Sequence, residues 1–164
     1  MSKQENASSA EPVQYMSRTR AYYRALGYQQ DYVWATQPEV AFAPVTKAAS
    51  ELTLALVTTA NPLDWIEGQP KQVWSGSTAA PPQALNTSDL AWDKDNTHTD
   101  DVESFLPIKA AQRLVDAGGL GALTSRYYGL PSEYSQAKTQ QQDVPQLLPM
   151  LREDGADAVL LIPL

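Results

Sequence analysis

The chain has 164 residues, the size of one ordinary domain, and its 12 basic and 19 acidic side chains give a net charge of −7. The 43% of apolar residues excludes a chain that is disordered throughout, and no apolar run approaches the ~18 residues of a membrane span. The acidic balance and the scattered Lys and Arg residues argue against a binder of nucleic-acid backbones, so neither a membrane nor a nucleic acid is expected as a partner.

Residues 1–14 are polar and small, without the apolar core of a secretory signal, which predicts a flexible tail and a cytoplasmic protein. Residues at steps of three and four then predict a helix with one aromatic face: Tyr15, Thr19, Tyr22, Tyr23 and Leu26. Gly27 follows at the position where helices end. We expect the aromatic face to pack onto the domain, with binding to a partner as the alternative.

The next signals are strands. Residues 52–58 form a nearly continuous apolar run, typical of a strand buried on both faces in a parallel sheet. Residues 61–87 are rich in Gly and Pro, which predicts a long loop with one strand at 72–75. A further strand is predicted at 88–92.

Two helices and a last strand follow. The first helix is predicted to begin near Pro107 and to end at Gly118. The second is predicted to be capped by Asp143 and to reach Asp154, with a kink at Pro149. Residues 156–162 form a second apolar run, predicted to be a buried strand parallel to the first.

Helices alternating with apolar strands predict a single α/β domain over residues 15–164, Rossmann- or flavodoxin-like, with a mostly parallel sheet. No crossover helix follows the last strand to cover it. The domain is therefore expected to be incomplete at its C-terminus and to expose an apolar patch there.

The acidic stretch 93–103 does not match a calcium loop, because His98 stands where the turn glycine belongs and Ser104 where the bidentate glutamate belongs. With one histidine and no cysteine in the chain, no metal site is predicted, and the stretch is interpreted as a solvated loop. His98 remains a candidate general acid or base. The glycines at 118–121 follow a helix, which argues against a dinucleotide-binding loop.

Thr58 and Thr59 come directly after the first strand, and open α/β sheets bind ligands at the carboxyl ends of their strands. A ligand site and a simple structural turn are both open for these residues. We expect them, together with the His98 loop, to lie on the same sheet edge as Leu164.

An ordered set of short segments resembles the glycine/sarcosine/betaine reductase selenoprotein B family, in its short branch. The segments are YYRALGY at 22–28, Trp34, FAPVTK at 42–47, ALVTTA at 55–60, HTDD at 98–101, FLPI at 105–108, GLGAL at 119–123, Tyr128-Gly129 and DGADAVLL at 154–161. The resemblance covers about residues 15 to 164.

The resemblance implies a reductase that cleaves an amino-acid-derived small molecule, with a selenolate or thiolate as nucleophile. In the family this residue begins the motif Sec/Cys-Pro-Val-Cys-His directly after the last strand, so the catalytic residue is expected after Leu164 and none can be assigned within the chain. The substrate side is then expected to include Thr58, Thr59, His98 and Tyr128. A thiol electron donor or a partner reductase subunit is implied, without a separate cofactor.

Two functions thus stay open: the N-terminal part of such a reductase, and a non-catalytic α/β binding or accessory module. The first predicts that Leu164 is not the natural terminus and that the next codon is UGA, which encodes selenocysteine but is otherwise read as a stop.

Overall fold

The computed structural model describes residues 12–31, 39–40, 43–91, 93–133 and 135–164. Most of the predicted tail, together with Trp34, Phe42 and Trp92, lies outside these ranges. The chain divides into two compact units, Met1–Ala41 and Phe42–Leu164, each described by itself below.

In the first unit, α1 (Tyr15–Ala25) confirms the predicted helix. Gly27 follows it with a positive φ of 93° and donates its N–H to the carbonyl of Arg24 over 3.0 Å, as expected of a glycine that ends a helix. The Arg24 guanidinium forms two hydrogen bonds with the Asp31 carboxylate, at 3.0 and 2.7 Å. Within this unit none of the residues of α1 is buried, and the packing of its aromatic face onto the rest of the domain stays a prediction.

The second unit contains one five-stranded, mostly parallel sheet. Its strands are β1 (Thr53–Thr58), β2 (Trp74–Ser77), β3 (Ala122–Leu123), β4 (Arg126–Gly129) and β5 (Ala158–Ile162). β1 is central: β3 and β4 pair with successive parts of one edge and β5 pairs with the other, all in parallel. β2 is antiparallel to β4. The α/β class, the mostly parallel sheet and the parallel pairing of β1 with β5 are confirmed.

Helices cover the sheet. α2 (Ile108–Asp116) begins at the predicted place, and the carboxylate of Glu103 accepts the N–H groups of Lys109 and Ala110 in its first turn, at 3.1 and 3.2 Å. α3 (Gln136–Lys138), a π-helical turn (Thr139–Asp143) and α4 (Val144–Glu153) follow one another without a break. Short 3₁₀ turns occupy Ala49–Glu51 and Val102–Ser104. In the described part of the chain, no helix has the length and apolar character that crossing a membrane would require.

The continuous apolar run of β1 reflects burial on both of its faces. Leu56 packs on one face with Phe105, Leu106 and Ile108, at the start of α2. Ala55 and Val57 pack on the other face with Tyr128 and with Leu147 and Leu151 of α4. Because neighbouring residues of a strand point to opposite faces, a strand between two helical layers has no polar side.

β5 has the same apolar pattern but is not buried, so this prediction was wrong. It is an edge strand, since it pairs only with β1 among the described strands. Val159, Leu160 and Leu161 are exposed, the last to 62%. An apolar patch beside this strand, predicted from the sequence, is therefore present.

Three other local predictions need correction. The strand predicted at 72–75 lies at Trp74–Ser77, and residues 88–90 form a turn, not a strand. β3 and β4 were not predicted. Asp143 does not cap a helix: the helical chain continues through it, and its side chain is buried and makes no capping hydrogen bond.

Candidate functional site

The carboxyl end of β1 carries the two predicted threonines. Thr58 is fully buried, and its hydroxyl oxygen accepts the N–H of Ala60 at 3.4 Å, which makes it part of the turn. Thr59 is half-buried, and its hydroxyl oxygen accepts the N–H of Leu164 at 2.9 Å. The prediction that both threonines share a sheet edge with Leu164 is thus confirmed.

Beyond this turn, two asparagines close the long loop. The backbone groups of Asn61 and Asn86 exchange two hydrogen bonds, at 2.8 and 3.0 Å. The side-chain amide of Asn61, itself buried, donates to Asp89 at 2.8 Å, and that of Asn86 donates to the carbonyl of Trp65 at 2.9 Å. These bonds satisfy polar groups that the loop would otherwise bury unpaired and fix its path beside β1.

An ion pair joins the same loop to the segment after β4. Lys71 pairs with Asp89, and its ammonium group also donates to the carbonyl of Ser132 at 3.0 Å. Both charged side chains are largely buried. The positive charge of Lys71 is therefore neutralised inside the loop structure, which matters for the charge of the neighbouring groove.

A groove of about 440 Å³ opens in this loop, just beyond the carboxyl end of β1. Its volume lies in the range of small-molecule sites. Among the residues that line it are Asn61, Asp64, Trp65, Gln69, Gln72 and Trp74. Among the described residues, no Lys, Arg or His contributes to this lining.

The two tryptophans of the groove both have buried indole nitrogens or nitrogens that bond to the backbone. The indole N–H of Trp74 donates to the carbonyl of Ala60 at 3.2 Å, and its ring meets the ring of Tyr127 edge to face, with centroids 5.6 Å apart. The indole nitrogen of Trp65 is also buried, without a partner among the described residues. Since both residues are partly exposed, the surface that they offer to the groove is ring carbon.

Trp74 can take this position because Gly129 lies opposite it in the β2–β4 register. A Cβ atom on Gly129 would overlap the indole ring. Two residues further along the same pair of strands, Tyr127 of β4 lies over Gly76 of β2 in the same manner. Two glycines thus make room for the two aromatic rings that support one wall of the groove.

His98 lies on an exposed loop and does not line the groove. Its side chain is 72% exposed, and its Nδ1 atom accepts the N–H of Asp100 at 3.4 Å. The neighbouring Thr99 is tied to the long loop by a hydroxyl–hydroxyl bond of 2.7 Å with Thr87. Within the described ranges, no three His, Cys, Asp or Glu residues are grouped so as to hold a metal ion.

Tyr128 is a residue of β4, and its fully buried side chain packs in the core with residues of α4. Its hydroxyl donates to Asp154 at 2.5 Å, and the Arg126 guanidinium makes two hydrogen bonds to the same carboxylate. Arg126, and to a smaller extent the Tyr128 hydroxyl, lower the pKa of Asp154 against the opposing effect of burial, and burial raises the pKa of Tyr128. This residue supports the packing of α4 and does not face an open substrate surface.

Of the four predicted site residues, Thr58 and Thr59 lie at the carboxyl edge of the sheet beside Leu164. Tyr128 is a buried residue near the end of β4, and His98 is exposed on a loop whose Thr99 bonds to the long loop. The residues of the groove were missed. Their signal in the sequence was weak: two tryptophans in a proline-rich loop after a buried strand, with an acidic residue between strand and tryptophan.

Comparisons with protein-family models, curated proteins and solved structures find no match to this chain. The interpretation of function therefore depends on the geometry of the carboxyl edge and on the sequence resemblance, which remains a prediction.

Proposed function

We propose that the chain forms the N-terminal, substrate-side part of a selenocysteine- or cysteine-dependent reductase similar to the glycine/sarcosine/betaine reductase selenoprotein B family. The observation that carries this proposal is the 2.9 Å hydrogen bond from the N–H of Leu164 to the hydroxyl of Thr59. A redox residue that followed Leu164 would start at the carboxyl edge of the sheet, where open α/β folds bind their ligands.

The exposed strand β5 supports the same proposal. Leu160 and Leu161 are exposed on an edge that no described strand pairs, in a sequence without a charge between residues 158 and 164. Protein edges of this kind are usually paired, covered or charged. We propose that the sheet continues as a Rossmann- or flavodoxin-like domain whose further elements cover β5.

The chemistry that the resemblance implies suits this edge. A selenolate or thiolate at the start of a helix is stabilised by the positive end of the helix dipole, which lowers its pKa and raises the fraction of nucleophile. In the proposed enzyme the hydroxyl of Thr59 lies beside that position, since it accepts the N–H of Leu164.

The nucleotide sequence beyond codon 164 tests the proposal first. We expect a UGA or a cysteine codon, followed in frame by Pro-Val-Cys-His codons. The longer protein should then show one fast-alkylating selenol or thiol and a dithiol-dependent reductase activity, both lost when that residue is replaced by serine. An unrelated downstream sequence, or a longer protein without either property, would contradict the proposal.

A non-catalytic binding module is the second candidate, and the groove itself favours it. The groove is formed by residues of this chain, whereas the chain contains no cysteine to act as a nucleophile. This function predicts ligand binding by the 164-residue chain with no redox activity in any longer form of the protein.

A further inference from the structure

The groove after β1 has a chemical character that selects its ligand. We propose that it binds a small organic ammonium cation that carries no carboxylate. The inference concerns the groove alone and depends on no residue beyond Leu164, so it does not rest on the proposed reductase.

Charge is the first argument. Asp64 is an exposed residue that lines the groove, and no Lys, Arg or His lines it with Asp64. Lys71, the nearest basic residue along the sequence, has its ammonium group bonded to Asp89 and to the carbonyl of Ser132. A bound carboxylate or phosphate would thus have no cationic partner, while a cation gains from Asp64 and from the net charge of −7.

The aromatic walls are the second argument. The indole nitrogens of Trp65 and Trp74 are both turned into the protein, so the rings present carbon surface and no N–H donor to a ligand. The face of an indole ring attracts alkylammonium ions through its quadrupole, more strongly than the ring of Phe or Tyr does. Two such rings beside one carboxylate form a site for a cation whose charge is surrounded by methyl or methylene groups.

The third argument is the fixed position of Trp74. Its N–H bond to Ala60, its edge-to-face contact with Tyr127 and its position over Gly129 hold the ring in place before a ligand arrives. A preformed aromatic wall lowers the entropic cost of binding. The amides of Gln69 and Gln72 line the same groove and provide polar surface for a neutral hydroxyl or amide on the ligand.

Three probes of nearly equal shape test the proposal on the 164-residue chain by calorimetric or NMR titration. Choline has the ammonium group alone, glycine betaine adds a carboxylate, and 3,3-dimethylbutan-1-ol is the neutral analogue of choline. We expect choline to bind about tenfold more tightly than the neutral alcohol, with a change in tryptophan fluorescence. Glycine betaine should bind more weakly than choline because its carboxylate faces Asp64 without a basic partner.

Asp64→Asn should weaken choline binding about threefold, as expected for the loss of one exposed charge, with an unchanged melting temperature. Glu67→Gln is the matched control, since Glu67 is an exposed acidic residue of the same loop that does not line the groove. The proposal is overturned by no saturable binding of choline, by equal binding of the neutral alcohol, or by betaine binding as well as choline. It is also overturned if both variants have the same effect. None of these results depends on the redox assay of the longer protein.

Discussion

Asp154 joins two elements of the fold, β4 and α4, and its replacement by asparagine should destabilise the protein more than any other single change of charge near the sheet. The carboxylate accepts hydrogen bonds from Nε and Nη2 of Arg126 at 2.9 and 2.7 Å, and from the hydroxyl of Tyr128 at 2.5 Å. These bonds connect β4 to the end of α4, where Asp154 is the capping residue. Asp154→Asn keeps the shape of the side chain and removes its charge.

The expected cost follows from the burial of the partners. The side chain of Asp154 is only 9% exposed, and breaking a buried ion pair by removing one partner typically costs about 3–5 kcal/mol. Arg126 is less buried and keeps its bond of 2.8 Å to Glu153, which reduces the penalty. We therefore expect Asp154→Asn to lower the free energy of unfolding by about 2–3 kcal/mol, and the melting temperature by about 5–10 °C for a chain of this size.

Urea unfolding followed by far-ultraviolet circular dichroism measures this difference, and its pH dependence provides a second test. The bonds to Arg126 and Tyr128 hold the pKa of Asp154 below its ordinary value. An acid with a lowered pKa stabilises the fold above its unfolded-state pKa of about 3.9, and this contribution is lost as the pH falls through the folded-state pKa. The difference between wild type and variant should thus be largest at neutral pH and shrink below about pH 4.

Glu153→Gln is the matched control, because Glu153 binds the same guanidinium but is 71% exposed. Exposed ion pairs contribute little, so this variant should lose less than about 0.5 kcal/mol. If Asp154→Asn cost no more than Glu153→Gln, or if its effect were the same at pH 7 and pH 3, the reasoning from the buried network would be refuted.

Three further predictions concern other parts of the second unit. Asp143→Asn should raise the free energy of unfolding by about 1 kcal/mol at pH 7, because burial raises the pKa of a carboxylate of which one oxygen has no hydrogen-bond partner among the described residues. This gain should vanish near pH 3 in urea titrations, where the acid is protonated in both the folded and the unfolded state. Gly129→Ala should cost about 1–3 kcal/mol by overlap with Trp74, against little change for Gly119→Ala, where an added Cβ makes ordinary contacts. Leu161→Lys should reduce concentration-dependent association of the chain, measured by sedimentation velocity, and a wild type that stays monomeric at all concentrations would contradict this.

The two apolar strands show what a sequence pattern can and cannot predict. β1 and β5 have the same continuous apolar character, and both are strands in parallel register. Burial differs because it depends on neighbours: Leu56 and Val57 lie between two helical layers, whereas Leu161 lies on an edge strand with no described partner on its far side. Local pattern predicts the conformation of a segment, and tertiary context decides its exposure.

β3 and β4 were missed because together they form one interrupted strand along the edge of β1. The register shifts by two residues between them, at Thr124 and Ser125. The hydroxyl of Thr124 donates to the carbonyl of Arg126 at 2.7 Å, and the hydroxyl of Thr78 donates to the carbonyl of Thr124 at the same distance. Strands of two and four residues separated by such a bulge have no periodicity from which to predict them.

Asp143 was misread for a different reason. An aspartate two residues before a proline is typical of a helix start, and Pro145 does lie in the first turn of α4. The helical chain nevertheless begins earlier, at Gln136, and passes through Asp143 in a π-helical turn. Since helix starts are predicted from local preferences, a helix that continues across a favourable start signal escapes this kind of prediction.

One part of the candidate site, the two threonines after β1, was predicted from a topological rule. The other part, the groove, was missed because it depends on contacts within the long loop. The rule that ligands bind at the carboxyl ends of parallel strands correctly placed Thr58 and Thr59 beside Leu164. The groove requires Trp65 and Trp74 to approach each other across a loop whose path is fixed by the Asn61–Asn86 bridge. The backbone bridge between Asn61 and Asn86 joins residues that are far apart in the chain, and a single sequence gives no pattern from which to predict it.

The groove also depends on a residue that does not touch it. Gly129 lies opposite Trp74 on β4, and its missing side chain leaves room for the indole ring while the indole N–H bonds to Ala60. Gly129→Ala should therefore shift the tryptophan away from Ala60 and weaken ligand binding even at temperatures where the variant is fully folded. The Trp74 ring must bond to Ala60 and also fit against Gly129. The residue at position 129 of the sheet therefore affects the shape of the groove in the loop. If Gly129→Ala lowered the stability of the protein but left its affinity for choline unchanged, this reasoning would be wrong. Contacts within the loop would then be sufficient to position Trp74.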